Sequence, residues 1–231
     1  MSDTNLSGVF CLRRDITREM IERSINALIS TIPKIKLSIS RELLVDCILN
    51  AEEFYQTHDR IKYNGFFLLG DIKFAFINWE KGLPYHYVKK GRRQIYFNIW
   101  TEEGAYVQFL NKPKLARKMI EPLGIIASNL DAYFGFITHQ LVFHSDNIEN
   151  VTTNRYDMLF GVSSSFYCDI NLAREIGIDY LKTLAIHQTI GQSGYFVSDD
   201  EIPFVTPMGR DTLERVKPAI IKRLSEEFSS L

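Results

Sequence analysis

The stretch DAYFGFITHQLVFHS, residues 131–145, places aromatic and aliphatic side chains along a segment that suits one long β-strand. On a strand, successive side chains point to opposite faces of the sheet. Two apolar sets result, one for each face: Phe134, Phe136 and Val142 on the first, and Tyr133, Ile137, Leu141 and Phe143 on the second. Because both faces are largely apolar, the pattern predicts a central strand that is covered on two sides.

The same stretch contains two histidines, His139 and His144, whose spacing bears on metal binding. A zinc site needs several His, Cys or carboxylate ligands that converge on one point. The two histidines are separated by an odd number of positions, so a regular strand sends their imidazoles to opposite faces. The remaining histidines have no companion His or Cys at ligand spacing: His58, His86 and His187. We therefore expect hydrogen-bonded histidines, no metal site and no cofactor.

Composition indicates an ordinary globular protein. The chain has 231 residues, of which 45% are hydrophobic and 24% charged, and its formal net charge is −1. A balanced charge gives no global attraction to nucleic acid or to an anionic membrane. The sequence has no apolar run long enough to span a membrane, no secretory signal pattern, and three scattered cysteines. We therefore expect a cytoplasmic location.

Helical periodicity recurs in four long segments, which predict the four main helices. The first opens at Asp15 as N-cap and ends before Pro33, and the last opens near Asp211, with Pro218 as a kink or restart. The other two cover residues 43–55 and 113–129. Two shorter helical turns, broken by Gly177, lie between residues 171 and 184.

Aromatic and β-branched segments predict the strands. They include residues 65–80, 91–100 and 103–110, which we interpret as an antiparallel meander, and residues 131–145. Because strands and helices come in blocks, the sequence predicts an α+β fold: an antiparallel, strongly aromatic sheet with four main helices packed on it. We expect a single domain over residues 1–231, with two lobes of about 1–112 and 113–231 as an alternative.

Nucleophile candidates are few. Cys168 in SSSFYCDI pairs with a histidine only if the fold brings them together, and a cysteine beside aromatic residues is more typical of a core. The serines at 163–165 lack the glycine-flanked elbow that exposes a catalytic serine.

Two charged clusters are candidate binding surfaces. A basic loop, Lys89, Lys90, Arg92 and Arg93, lies among Tyr85, Tyr87 and Tyr96, and such a mixture suits single-stranded nucleic acid. An acidic triplet follows Tyr195: Asp199, Asp200 and Glu201. The triplet suits a basic protein partner, because complementary charge speeds association and adds specificity. A solvated turn or loop is the simpler interpretation of both clusters.

The C-terminal half resembles a known class of proteins. Its predicted elements follow a definite order. The aromatic strand at Tyr133, Phe134 and Gly135 is followed by the segment RYDMLFGVSS and by a short helix that ends at Gly177. The strand YFVSDD and a final helix come after it. Over about residues 92–228, this order is similar to immunity proteins of bacterial polymorphic-toxin systems, particularly families encoded beside type VI secretion effectors. The resemblance implies stoichiometric binding and neutralisation of a cognate protein toxin, without catalysis, and it transfers no binding residue.

Two alternatives remain open from the sequence. One is a nucleic-acid-associated protein that uses the basic loop, although the balanced net charge disfavours it. The other is an enzyme that uses Cys168 or a histidine, which needs a pocket where those groups converge. Oligomeric state is not fixed by any pattern in the sequence.

Overall fold

A computed structural model describes residues 5–58, 65–77, 94–139 and 164–229. Within them, one antiparallel sheet has the strand order β2-β3-β4-β5-β1-β6-β7-β9-β8. The strands are β1 (Leu6–Leu12), β2 (Ile35–Leu37), β3 (Phe67–Leu69), β4 (Ile72–Ile77), β5 (Gln94–Trp100), β6 (Ala132–His139), β7 (Ser165–Asp169), β8 (Ile186–Ile190) and β9 (Gly194–Ser198). The sheet contains strands from both segments of the two-lobe alternative, residues 1–112 and 113–231.

Helices connect and cover the strands. They are α1 (Arg18–Thr31), α2 (Arg41–Leu49), α3 (Ala51–Thr57), α4 (Ala105–Asn111), α5 (Pro113–Arg117), α6 (Ile120–Asn129), α7 (Ile170–Ile176), α8 (Ile178–Leu181) and α9 (Arg210–Ser229). The predicted break between α7 and α8 is confirmed at Gly177, whose φ of 109° lies where glycine is favoured. The α+β prediction, with an antiparallel aromatic sheet, is confirmed.

Strand β6 is central, as its two apolar faces predict. It pairs antiparallel with β1 on one side and with β7 on the other. The predicted alternation is wrong at one residue, because a register shift opposite Cys11 and Leu12 leaves Tyr133 as an extra residue in β6. At such a bulge the side-chain alternation is interrupted, so Tyr133 packs in the same core as Phe134 and Phe136. Residues 140–145 of the predicted strand lie outside the described residues.

Two hydrophobic cores lie on the two faces of the sheet. Consecutive residues of β1 pack in different cores: Phe10 belongs to the first core, and its neighbours Val9 and Cys11 belong to the second. Helices α1, α2 and α6 pack in the first core, and helices α7 and α9 pack in the second. Burial on both faces accounts for the continuous apolar pattern of the central strands.

The segment EGAYVQFL, predicted as a strand, is helical instead. Ala105–Asn111 form α4, and its buried residues Ala105, Gln108 and Phe109 follow the spacing of one helix face. Aromatic and β-branched composition favoured a strand, but Val107 is exposed between the buried Ala105 and Phe109, which fits a helix and not the alternation of a strand.

Several predicted helix boundaries are also corrected. The N-cap of α1 is Thr17 rather than Asp15, since the Thr17 side chain accepts a hydrogen bond from the amide of Met20 at 3.3 Å. The second predicted helix is broken at Asn50, which caps α3, and the third is broken after α5. Helix α9 begins at Arg210 and continues through Pro218, so Asp211 lies in its first turn.

Candidate functional site

The outer side of α4 carries an exposed apolar pair. Val107 and Leu110 have exposed fractions of 40% and 39%, and they are three residues apart, so they are neighbours on the helix surface. The opposite side of α4 anchors the helix in the core through Phe109. Exposed aliphatic side chains are common singly, and here two of them are neighbours on the exposed side of a helix that is anchored in the core.

A cavity of about 360 Å³ lies on another side of α4, because its lining residues Gln108 and Lys112 are about 100–160° around the helix axis from Val107 and Leu110. Three segments form it: the β3–β4 turn, the connection between β5 and α4, and α4 itself. Its lining residues are Gly70, Asp71, Lys73, Glu102, Glu103, Gln108 and Lys112. Gly70 has a φ of 62°, a left-handed conformation that lets β3 turn directly into β4. We call the exposed pair Val107 and Leu110 the α4 surface, and the cavity is a separate feature.

The cavity is strongly charged. Three carboxylates and two ammonium groups line it, and no ion pair within 4.0 Å joins any two of them among the residues that the structure describes. Lys73 lies with its Nζ 6.0 Å from the centroid of the Phe66 ring, at the outer limit of a cation–π contact. The charged groups are therefore available to groups that enter from outside.

Two buried polar atoms lie at the same place. The Gln108 side chain is on the cavity wall with the residue only 6% exposed, and its Oε1 has no hydrogen-bond partner in the described part of the chain. The Oγ1 of the neighbouring Thr101 likewise lacks one there. A buried polar group without a partner costs about 1–3 kcal/mol. Because both atoms are shielded from solvent, a bound molecule would reach them only after a local rearrangement.

Cys168 lies deep in the second core. It pairs with Phe134 of β6 and Tyr195 of β9, and it is fully buried. Desolvation by this burial raises the pKa of its thiol, which disfavours the thiolate that a nucleophile requires. The geometry therefore argues against Cys168 as a catalytic nucleophile.

The described histidines make local contacts. His58 ends α3, where its Nδ1 lies 3.0 Å from the carbonyl oxygen of Phe54 and its ring stacks on the Phe54 ring. His187 on β8 lies against Tyr195, with ring centroids 4.9 Å apart. The His139 side chain and His86 and His144 lie outside the described residues, as does the basic loop of Lys89, Lys90, Arg92 and Arg93. In the described ranges, no group of three or more potential ligands is placed to hold a metal ion.

Of the acidic triplet, only Glu201 projects into solvent as a binding surface would require. Asp199 accepts a hydrogen bond from the amide of Gly209 at 2.6 Å, and desolvation raises the pKa of its carboxyl group. Asp200 accepts one from the amide of Ile202 at 2.8 Å. Glu201 has an 84% exposed side chain, whose Oε2 lies 3.7 Å from Nη2 of Arg117. Asp199 and Asp200 thus shape the loop, and Glu201 projects from it.

A buried hydroxyl network fixes this loop to the sheet. Ser165 donates to Ser198 at 3.0 Å, Thr206 donates to Ser164 at 2.9 Å, and Ser198 donates to the carbonyl oxygen of Asp200 at 2.8 Å. Ser164 and Ser165, whose sequence context lacks a nucleophile elbow, therefore serve as internal hydrogen-bond partners, and Ser163 lies outside the described residues.

Sequence reasoning missed an ion-pair cluster at Asp169. Its Oδ1 accepts from the amide of Leu172 at 2.7 Å and caps α7, while its Oδ2 pairs with Arg13. Arg13 also binds Asp131 at 3.1 Å, which links β1, β6 and α7. An aspartate directly before an apolar helical segment is an N-cap signal, so this cap could have been predicted from the sequence. The arginine partner was not, because it is distant along the chain.

In the described part of the chain, every helix is too short or too polar to cross a membrane.

Comparisons with known proteins add little to this geometry. No protein-family model matches the chain, and no curated protein matches it. Among solved structures, the chain is similar to a Pseudomonas aeruginosa protein of the type VI secretion system, T6SS protein PA0821. The superposition has a TM-score of 0.47 and 10% sequence identity, and it covers 93% of this chain and 72% of the other. The likeness is weak and assigns no role to any residue.

Proposed function

We propose that this protein is a cytoplasmic immunity protein that binds a cognate toxin through the α4 surface and neutralises it without catalysis. The observation that carries the binding site is the exposed pair Val107 and Leu110 on the outer side of α4. The C-terminal resemblance to polymorphic-toxin immunity proteins supplies the class of partner.

The α4 surface has the anatomy of a protein-binding site. Interfaces combine apolar anchors with a polar rim, and a few side chains supply most of the binding energy. Covering the exposed parts of Val107 and Leu110 would contribute roughly 1 kcal/mol each, since full burial of such a side chain contributes about 1.5–3 kcal/mol.

The roles of the reactive groups support binding over catalysis. Cys168 is buried with a raised pKa, and the hydroxyls of Ser164, Ser165 and Ser198 bond to one another or to Thr206 and the backbone. The three cysteines are buried and form no disulfide, which fits a reducing compartment such as the cytoplasm.

The test is toxin rescue by variants of the α4 surface. The product of the adjacent gene is expressed in cells with the wild-type protein, with Val107→Glu plus Leu110→Glu, or with Ile29→Glu. Ile29 on α1 is 41% exposed, so it matches the two α4 residues in exposure but lies on a different helix. We expect rescue and co-purification with the wild-type protein and with Ile29→Glu. The double variant should bind at least about tenfold more weakly, because it places charge at the apolar contact.

Two results would count against the proposal. If the wild-type protein neither rescues the cells nor forms a complex with the adjacent gene product, the immunity function is wrong. If it does both and the double variant does so equally well, the function stands and the α4 surface is not the toxin-binding site. Circular dichroism of each variant verifies that it is folded.

A further inference from the structure

The two edges of the sheet differ in how they are protected. An edge strand has unpaired backbone N–H and C=O groups, and natural proteins shield them with charge, proline, bulges or short length. Strand β2 has three residues, follows Pro33 and carries the exposed Lys36 at its centre. Strand β8 closes the other edge and, in the described residues, pairs only with β9.

Strand β8 lacks these protective features. Its sequence, IHQTI over Ile186–Ile190, contains no Asp, Glu, Lys, Arg or proline, and its register with β9 has no bulge. Thr189 is exposed at this edge. An uncharged, regular edge of five residues is a template for another strand.

The sequence of β8 is also self-complementary. If two copies of IHQTI run antiparallel about an axis at Gln188, each Ile186 faces Ile190 of the second copy, and each His187 faces Thr189 of the second copy. Aliphatic side chains then lie opposite aliphatic ones, and polar side chains lie opposite polar ones. Cross-strand pairs of like polarity contribute roughly 0.2–1 kcal/mol each.

We propose that β8 pairs antiparallel with β8 of a second copy of this chain, so that the nine-stranded sheet continues through a two-fold axis at Gln188. Ile190 is buried and Ile186 is partly buried against the first core, so the strand is held in place before it meets a partner. Closed two-fold symmetry limits the association to a dimer, because the edge is used up on both copies. This dimer does not depend on the toxin-binding role of the α4 surface.

The first test is the mass in solution as a function of concentration. One five-residue strand is a small contact compared with the roughly 800 Å² per partner of a standard interface, so we expect a reversible dimer. Light scattering or sedimentation over about 1 µM to 1 mM should show the mass rising from 26.8 kDa toward twice that value. Thr189→Lys should weaken the dimer at least about tenfold by placing charge at the edge. Lys36→Glu on β2 is the matched control and should leave the dimer unchanged.

The second test measures the register. In the proposed pairing, the two copies of residue 189 are offset by two residues across neighbouring strands, which places their Cα atoms about 8 Å apart. Thr189→Cys labelled with a nitroxide should show this short distance, while a label on Lys36→Cys should not. Native thiols are buried and should remain unlabelled.

A mass that stays at 26.8 kDa over the whole range would overturn the proposal. A dimer that Thr189→Lys leaves intact, or labels that lie far apart in it, would equally overturn it. If β8 pairs only with a strand of a different protein, the second copy is the wrong occupant and the proposal fails.

Discussion

Cys11 on β1 and Cys168 on β7 lie on either side of β6, and both side chains pack in the second core. Burial raises the pKa of the Cys11 thiol to about 12, although a hydrogen bond with Tyr133 opposes the shift. Burial also raises the pKa of Cys168. At neutral pH both groups are therefore neutral thiols, and they fill space as small hydrophobic side chains.

Thiol reagents test this assignment. We expect a disulfide reagent at pH 8 to leave all three cysteines of the native protein unmodified, because each is buried, and to modify all three after denaturation. The measurement is the reagent absorbance before and after addition of denaturant. Rapid modification of one thiol in the native protein would reopen the nucleophile hypothesis for Cys168.

Asp199 gives a prediction about pH. Its folded-state pKa is raised by desolvation, so the native state binds a proton more tightly than the unfolded state does. At pH values between the ordinary pKa of 3.8 and the raised folded-state pKa, the free energy of unfolding therefore decreases as pH rises. Above the folded-state pKa, the loss of stability remains but no longer grows. Asp199→Asn keeps an oxygen that can accept the hydrogen bond from Gly209 and removes the charge.

The Asn variant should accordingly be more stable than the wild type at pH 7, and the difference should shrink as pH falls toward about 4. Urea unfolding at several pH values measures this. Glu201→Gln is the control, since its side chain is 84% exposed and should show no comparable trend. A wild-type protein that gains stability relative to Asp199→Asn as pH rises would contradict the assignment.

At the scale of elements, the core packing around β6 is tight. A Cβ added to Gly135 would overlap the ring of Phe10, which is itself packed against Phe97 at a centroid distance of 4.4 Å. Gly135→Ala should therefore lower the free energy of unfolding by about 1–3 kcal/mol through overpacking. Chemical denaturation measures the change. In a double-mutant cycle, Phe10→Leu should make the two effects less than additive, and full additivity would show that the ring is not the obstacle.

The elements also show where sequence patterns succeed and where they fail. The continuous apolar pattern of residues 132–137 predicted a central strand because burial on both faces is encoded locally. The bulge at Tyr133 depends on the register with β1, which lies more than a hundred residues away along the chain. EGAYVQFL was misassigned because its aromatic composition suits a strand, and because the four-residue separation of Ala105 and Phe109 fits a strand face as well as a helix face.

At the scale of the whole molecule, fold class was predictable but the candidate site was not. Blocks of helices and strands were sufficient to predict an α+β fold. The cavity combines Asp71, Glu102 and Lys112 from three separate segments, so no local spacing could reveal it. The exposure of Val107 and Leu110 became visible only when α4 was known to be a helix with Phe109 inside.

The most direct test of the proposed function is a calorimetric titration of the purified protein with the product of the adjacent gene. We expect a saturable complex of fixed stoichiometry, an affinity at least about tenfold lower for Val107→Glu plus Leu110→Glu, and an unchanged affinity for Ile29→Glu. The absence of binding to the wild-type protein would contradict the proposed function. Equal affinity of the wild-type protein and the double variant would contradict the proposed site.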